Sequence, residues 1–284
     1  IRLFRNDVSR ICDEAARVNF KDIFNYSDES FESTVNIPND TLVDLYDFGN
    51  QNVNGDSVAG ILHSIVSAGH EHDGEVPTDL ELARIVAELA KYSSGELSDR
   101  DLVCDPAAGS GNLISAAIPT YNLAPTQIVV NDVNSKLLEL LSLRIGLNYA
   151  NTISLQNSPA IYNRNISEVE PLFFNDVKVV VMNPPFSAGI NCVARKQPLY
   201  RSIRRLTGNE PRTNVGQMPL EAVFLELLIE LVQPGTTISC VFPKTHLMGR
   251  GPEAKAIRRL LLNQFGLHLV FTYPGDEIFD DVTK

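Results

Sequence analysis

Asn183, Pro184, Pro185 and Phe186 follow directly on the run VKVVVM at 177–182. The run reads as a strand, and two consecutive prolines stop its hydrogen-bond ladder at once. Asn183 carries one side-chain carbonyl acceptor; the Pro184 ring fixes its own φ, while Pro185 keeps residue 184 out of the helical region. The Asn183 side chain and the Pro184 carbonyl are therefore two acceptors held at set angles. A simple turn after the strand is one reading of NPP; the other is a grip on an amino group of an aromatic ring, whose lone pair is delocalised and poorly nucleophilic. Accepting both of its hydrogens draws the nitrogen toward tetrahedral geometry and frees that lone pair. Phe186 adds a face for a planar base, worth roughly 1–3 kcal/mol. With about 5% usage for each residue type, NPPF arises by chance in about one chain of this length in several hundred.

A second constellation, DPAAGSGNL, begins at Asp105 and brings Gly109 and Gly111 to the opening of a helix. Glycines there allow a sharp turn and close approach of a ligand to the free amides of the helix start. Position 114 is Ile, so the third glycine of the dinucleotide fingerprint GxGxxG is absent and a nicotinamide cofactor is disfavoured. The next apolar run ends in Asn131 and Asp132, about 20 residues on, where a carboxylate accepts from ribose hydroxyls. Capping of the helix near Ser135 is the other role open to Asp132.

The elements that must position these groups alternate. Short β-branched runs predict strands at 101–104, 127–131, 152–155, 177–182, 236–242 and 267–272, with helices at 110–118, 135–148, 217–232 and 253–265 between them. Pro252 and Gly266 punctuate the last helix. Such alternation predicts an α/β fold with a parallel sheet covered by helices on both faces. Ahead of it, residues 79–92 have helical period, and residues 1–73 read as an N-terminal helical lobe distinct from a catalytic domain over 74–284.

Composition sets limits. The chain has 284 residues, 44% hydrophobic, enough for one large domain and an attached piece. No apolar run approaches the roughly 20 residues of a membrane span, and the charged first twenty residues do not form a signal peptide. Four scattered cysteines without a CxxC pair predict neither a disulfide framework nor a zinc site, and suit a cytoplasmic location. The HEHD run at 70–73 reads as solvated polar residues, so no metal is expected. A net charge of −11 confines any nucleic-acid contact to a local patch. The start at Ile1 and the end at Lys284 read as the bounds of a fragment, with a final antiparallel strand missing.

DPAAGSGNL followed by VVVMNPPF resembles motifs I and IV of the S-adenosylmethionine-dependent DNA adenine-N6 methyltransferases of gamma-type motif order. The modification subunits of type I restriction systems and related fused enzymes are most similar, over residues 40–284. The resemblance implies a class I methyltransferase Rossmann-like fold and S-adenosyl-L-methionine as cofactor. Asp105, Gly109 and Gly111 would hold its methionine portion, Asp132 its ribose, Thr78 its carboxylate and Asn157 its adenine ring, with Pro106, Ala107 and Asn112 also in the cofactor site. Asn183, Pro184, Pro185 and Phe186 would hold the target adenine. Two departures stand out: the family's Thr-Pro pair is inverted here as Pro77-Thr78, and Asn157 stands where an acidic residue is usual.

The implied reaction is in-line methyl transfer to adenine N6, driven by positioning, on a base flipped out of double-stranded DNA. The segment 194–212, read as a basic loop beside the catalytic motif, offers Arg195, Lys196, Arg201, Arg204 and Arg205 to phosphates. The resemblance further implies a partner specificity subunit or fused recognition domain, and a restriction subunit. Three other readings stay open: a methyltransferase acting on a release-factor glutamine, one acting on an RNA base, and a cofactor-binding subunit without activity.

Overall fold

The structure, a computed structural model, describes residues 78–149, 153, 156–186, 192–264 and 266–272. The expected N-terminal lobe, the HEHD run and Cys12 lie outside the described residues. Helix α1, Leu80–Ser94, starts where the Asp79 carboxylate accepts from the amides of Glu81 and Leu82 at 2.8 and 3.2 Å, and ends at Gly95 with φ 75°. Leu82, Ala83, Val86, Ala87 and Ala90 recur at helical spacing and form its buried face.

Strand β1, Leu102–Asp105, leads to α2, Asn112–Tyr121; β2, Ile128–Asp132, to α3, Ser135–Asn148; and β3, Ala160–Asn163, through two short 3-10 turns to β4, Val177–Met182. Then come α4, Cys192–Thr207, α5, Leu220–Leu231, β5, Thr237–Cys240, α6, Lys244–Met248, and α7, Pro252–Gln264. The strands form one sheet in the order β3-β2-β1-β4-β5, and every ladder is parallel. Successive strand residues point to opposite faces. Val103, Ile128, Val130, Val179 and Val181 accordingly join α1, α2 and α3 in one core, while Cys104, Val129, Val180 and Met182 join α4 and α5 in the other.

The strand beside β2 is Ala160–Asn163; of the expected strand 152–155 only Ile153 is among the described residues, and its amide donates to the Tyr149 carbonyl at 2.9 Å. Residues 267–272 pair with no strand among the described residues, and Leu267, Leu269, Val270 and Phe271 are exposed. A β-branched run marks a capacity for pairing, whereas pairing itself requires a neighbour in register. Segment 194–207, expected as a loop, lies in α4. Its buried residues Cys192, Lys196, Leu199, Tyr200 and Ile203 step by three and four, a helical stripe that the charges between them obscure.

The strand order reverses at β1, whose two neighbours are β2 and β4. Such a switch point opens a crevice at the C-terminal edge of the sheet, and both constellations singled out in the sequence end there.

Candidate active site

A cavity of about 460 Å³ lies at that edge, within the range of cofactor and small-molecule sites. One wall is the turn from β1 to α2. Asp105 is buried, its Oδ1 accepting from the Ala107 amide at 3.2 Å, while its Oδ2 has no hydrogen-bond partner among the described residues. Burial, followed at some remove by the nearby negative charge of Asp132, pushes its carboxyl well above the usual range. Gly111 has φ 88°, and a Cβ there would stand 2.9 Å from Leu141 Cγ, so the turn admits only glycine at this point.

The second strand secures that turn. Asp132 accepts from the Gly109 amide through Oδ2 at 2.7 Å and from the Asn134 amide through Oδ1 at 2.8 Å. Burial raises its carboxyl despite these bonds. Asn131, beside it, donates to the Pro106 and Arg164 carbonyls and accepts from the Arg164 amide, joining the loops after β1 and β3.

Asn183, Pro184, Pro185 and Phe186 leave β4 and line the same cavity, with Pro184 buried and the other three half-buried. Asn183 Nδ2 donates to Thr78 Oγ1 at 3.0 Å, which orients the amide. Thr78 is 6% exposed and also lines the cavity, so a residue just ahead of α1 meets one from the far end of the sheet. The facing wall comes from α4 and α5, through Ala194, Arg195, Pro198, Leu199, Leu220 and Phe224.

Asp105, Pro106, Ala107, Gly109, Asn112, Asp132 and Thr78 all line the cavity; Gly111 shapes its turn. Asn157 does not line it. With β3 at 160–163 that residue precedes the strand, and Arg164, Asn165 and Ile166 take the position after it. Among the basic residues, Lys196 is buried with Nζ donating to the Met218 carbonyl at 2.7 Å, which removes it from phosphate contact. Arg204 pairs with Glu210 at 2.8 Å and Arg205 with Glu170 at 2.7 Å. Arg195 and Arg201 are exposed, and Arg195 borders the cavity.

S-adenosylmethionine, the implied cofactor, fits these residues. It carries two cationic centres and two ribose hydroxyl donors. The cavity offers two carboxylates, one with a buried oxygen that lacks a donor, beside a glycine turn where the backbone comes close. Leu220 and Phe224 were not legible as site residues, because apolar residues occur on every side of α5 and no pattern separates its cavity face from its core face.

The family described as N-6 DNA Methylase matches residues 50–283. The type IIG restriction endonuclease BpuSI is 37% identical over 98% of this chain and 32% of its own, with a TM-score of 0.83. A type I restriction-modification system methyltransferase subunit from Streptococcus thermophilus is 18% identical over 74% of this chain and 43% of its own, with a TM-score of 0.54, and supports the fold alone. The chain thus spans about a third of the first and under half of the second. No curated protein matches.

Proposed function

The chain belongs to the N-6 DNA methylase family, and from that premise we propose that it transfers a methyl group from S-adenosylmethionine to the N6 amino group of adenine in DNA. It acts within a restriction-modification system. The observation that carries this reading is the junction at β1 and β4: the Asp105 turn and the Asn183-Pro184-Pro185-Phe186 segment leave paired strands and line one cavity.

Asp105, Pro106, Ala107, Gly109, Gly111, Asn112 and Thr78 hold the methionine portion of the cofactor and Asp132 its ribose. Asn165, after β3, takes the adenine-ring role assigned from sequence to Asn157. When bound, S-adenosylmethionine supplies an electrophilic methyl group on a cationic sulfonium. Asn183 Oδ1 and the Pro184 carbonyl accept the two hydrogens of the target amine, and Phe186 stacks on the base. The apolar wall of Leu199, Leu220 and Phe224 excludes water from the cavity, which strengthens each of these polar contacts.

The substrate is double-stranded DNA from which one adenine is flipped, since a stacked base cannot enter the cavity. Arg195 and Arg201 contact its phosphates. A specificity subunit or fused recognition domain selects the sequence, and a restriction subunit or fused nuclease completes the system. The cytoplasm suits the free thiols of Cys104, Cys192 and Cys240. No helix of the described residues is long and apolar enough to cross a membrane.

The test is methyl transfer from labelled S-adenosylmethionine to genomic DNA, RNA and protein, with Asn183→Ala alongside. N6-methyladenine in DNA, lost in the variant, is the expected result. Label in RNA or protein instead would reassign the substrate.

A further inference from the structure

On the reading just proposed, catalysis depends on how the Asn183 amide is aimed, and a chain of hydrogen bonds reaches that amide from the opposite side of the cofactor turn. Asn183 Nδ2 donates to Thr78 Oγ1 at 3.0 Å. The Thr78 carbonyl accepts from Asn112 Nδ2 at 2.5 Å. Asn112 Oδ1 accepts from Arg144 Nη1 at 2.5 Å, and the same Nη1 donates to the Ser110 carbonyl at 3.3 Å. The four side chains come from the end of β4, the segment ahead of α1, the start of α2 and the middle of α3.

The direction of the chain is set at both ends of Asn112. A guanidinium can only donate and a main-chain carbonyl can only accept, so Oδ1 must face Arg144 and Nδ2 must face Thr78. An amide whose orientation is otherwise free is thereby locked. Thr78 needs such an anchor, because it precedes the N-cap Asp79 and belongs to neither helix nor ladder. Arg144 is 1% exposed, so its guanidinium is held inside the fold with Nη1 aimed at Asn112 and Ser110. It does not line the cavity, so it touches neither cofactor nor base.

We infer that Arg144 is a positioning residue for methyl transfer, acting through Asn112 and Thr78 to hold the Asn183 amide in register with the target amine. Arginine suits the task because its charge persists at every relevant pH and its donors are fixed in a planar fork.

The experiment compares kcat at saturating cofactor, cofactor Kd and melting temperature in the full-length protein for Asn112→Asp, Arg144→Met, Arg144→Lys, Thr78→Val and the Arg144→Met/Thr78→Val pair. Asn112→Asp preserves the acceptor for Arg144 but replaces the donor to the Thr78 carbonyl with an acceptor. It is expected to keep the melting temperature and to lower kcat by about 10–100-fold. Arg144→Met should lower kcat comparably, Arg144→Lys should recover part of the loss, and the double variant should fall no more than about twofold below Thr78→Val alone. Losses that multiply in the double variant overturn the inference, as does an Asn112→Asp enzyme with full kcat. A wild-type protein that labels no DNA overturns the underlying reading instead. Where Arg144→Met does not fold, Arg144→Lys with and without Thr78→Val decides by the same comparison.

Discussion

The carboxylate of Asp132 accepts the amide hydrogen of Gly109 at 2.7 Å, so the turn after β1 is held by a side chain from the end of β2. On the proposed reading the same residue also accepts from the cofactor's ribose. Asp132→Ala is expected to weaken cofactor binding by about 10–100-fold, the equivalent of roughly 1.4–2.8 kcal/mol, and Asp132→Asn by less, since it keeps one acceptor. Calorimetric titration checks this; an unchanged Kd in the alanine variant removes Asp132 from the site.

Asp105 makes cofactor binding depend on pH. Burial raises its carboxyl in the fold, so the unfolded chain ionises first, near the ordinary ~3.9, while the native group keeps its proton. Stability of the ligand-free protein therefore falls as pH rises from that value to the native pKa, and levels off above it. A bound cation favours the carboxylate, so affinity climbs with pH up to the native pKa, and binding below that pKa releases a proton. Asp105→Asn should flatten both dependences and raise the melting temperature of the ligand-free protein by a few degrees, about 2–4 °C per kcal/mol in a domain of this size. Binding heats that do not vary with buffer ionisation enthalpy would contradict this.

Gly111 combines φ 88° with a neighbour 2.9 Å from where a Cβ would sit. Gly111→Ala should destabilise the fold by about 1–3 kcal/mol through the left-handed backbone, with the Leu141 contact adding to it. Denaturant unfolding gives the value, and a neutral result would mean that the turn relaxes out of the left-handed region.

Phe186 is expected to act on the base alone. Phe186→Ala should cost roughly 1–3 kcal/mol in kcat/KM for DNA while leaving cofactor Kd unchanged, and Phe186→Tyr should retain most of the activity because it keeps the ring. A loss of cofactor affinity in the alanine variant would place Phe186 on the other side of the cavity.

In the basic helix α4, Arg204 and Arg205 are paired with carboxylates, and Arg201 is exposed. Arg201→Ala should reduce the slope of log K against log salt for DNA by about 1. Arg204→Ala and Arg205→Ala should change it less, because each charge already has a carboxylate within 2.8 Å. Equal effects from all three would show that the ion pairs open on DNA.

Much of this protein was legible from sequence because its information is local. Short β-branched runs located β1, β2 and β4 to within a residue, and the residue types at their ends were enough to suggest an aromatic amine and a ribose-bearing cofactor. Other features depended on partners distant in the chain. Whether 152–155 or 160–163 lies beside β2 is decided by register on a neighbouring strand, and that choice moved the residue after the third strand from Asn157 to Asn165. Lys196 reads as a surface cation until the fold places it against the Met218 carbonyl. The link from Arg144 to Asn183 joins residues 32, 34 and 105 positions apart in successive steps, and hydrogen bonds at such separations leave no periodic trace. The sequence by itself determined which groups could do the chemistry, since side-chain type and local backbone restriction are properties of short segments. Tertiary structure alone decided which of them share a cavity and which way each amide points, because both follow from the packing of elements that meet only when the sheet has formed.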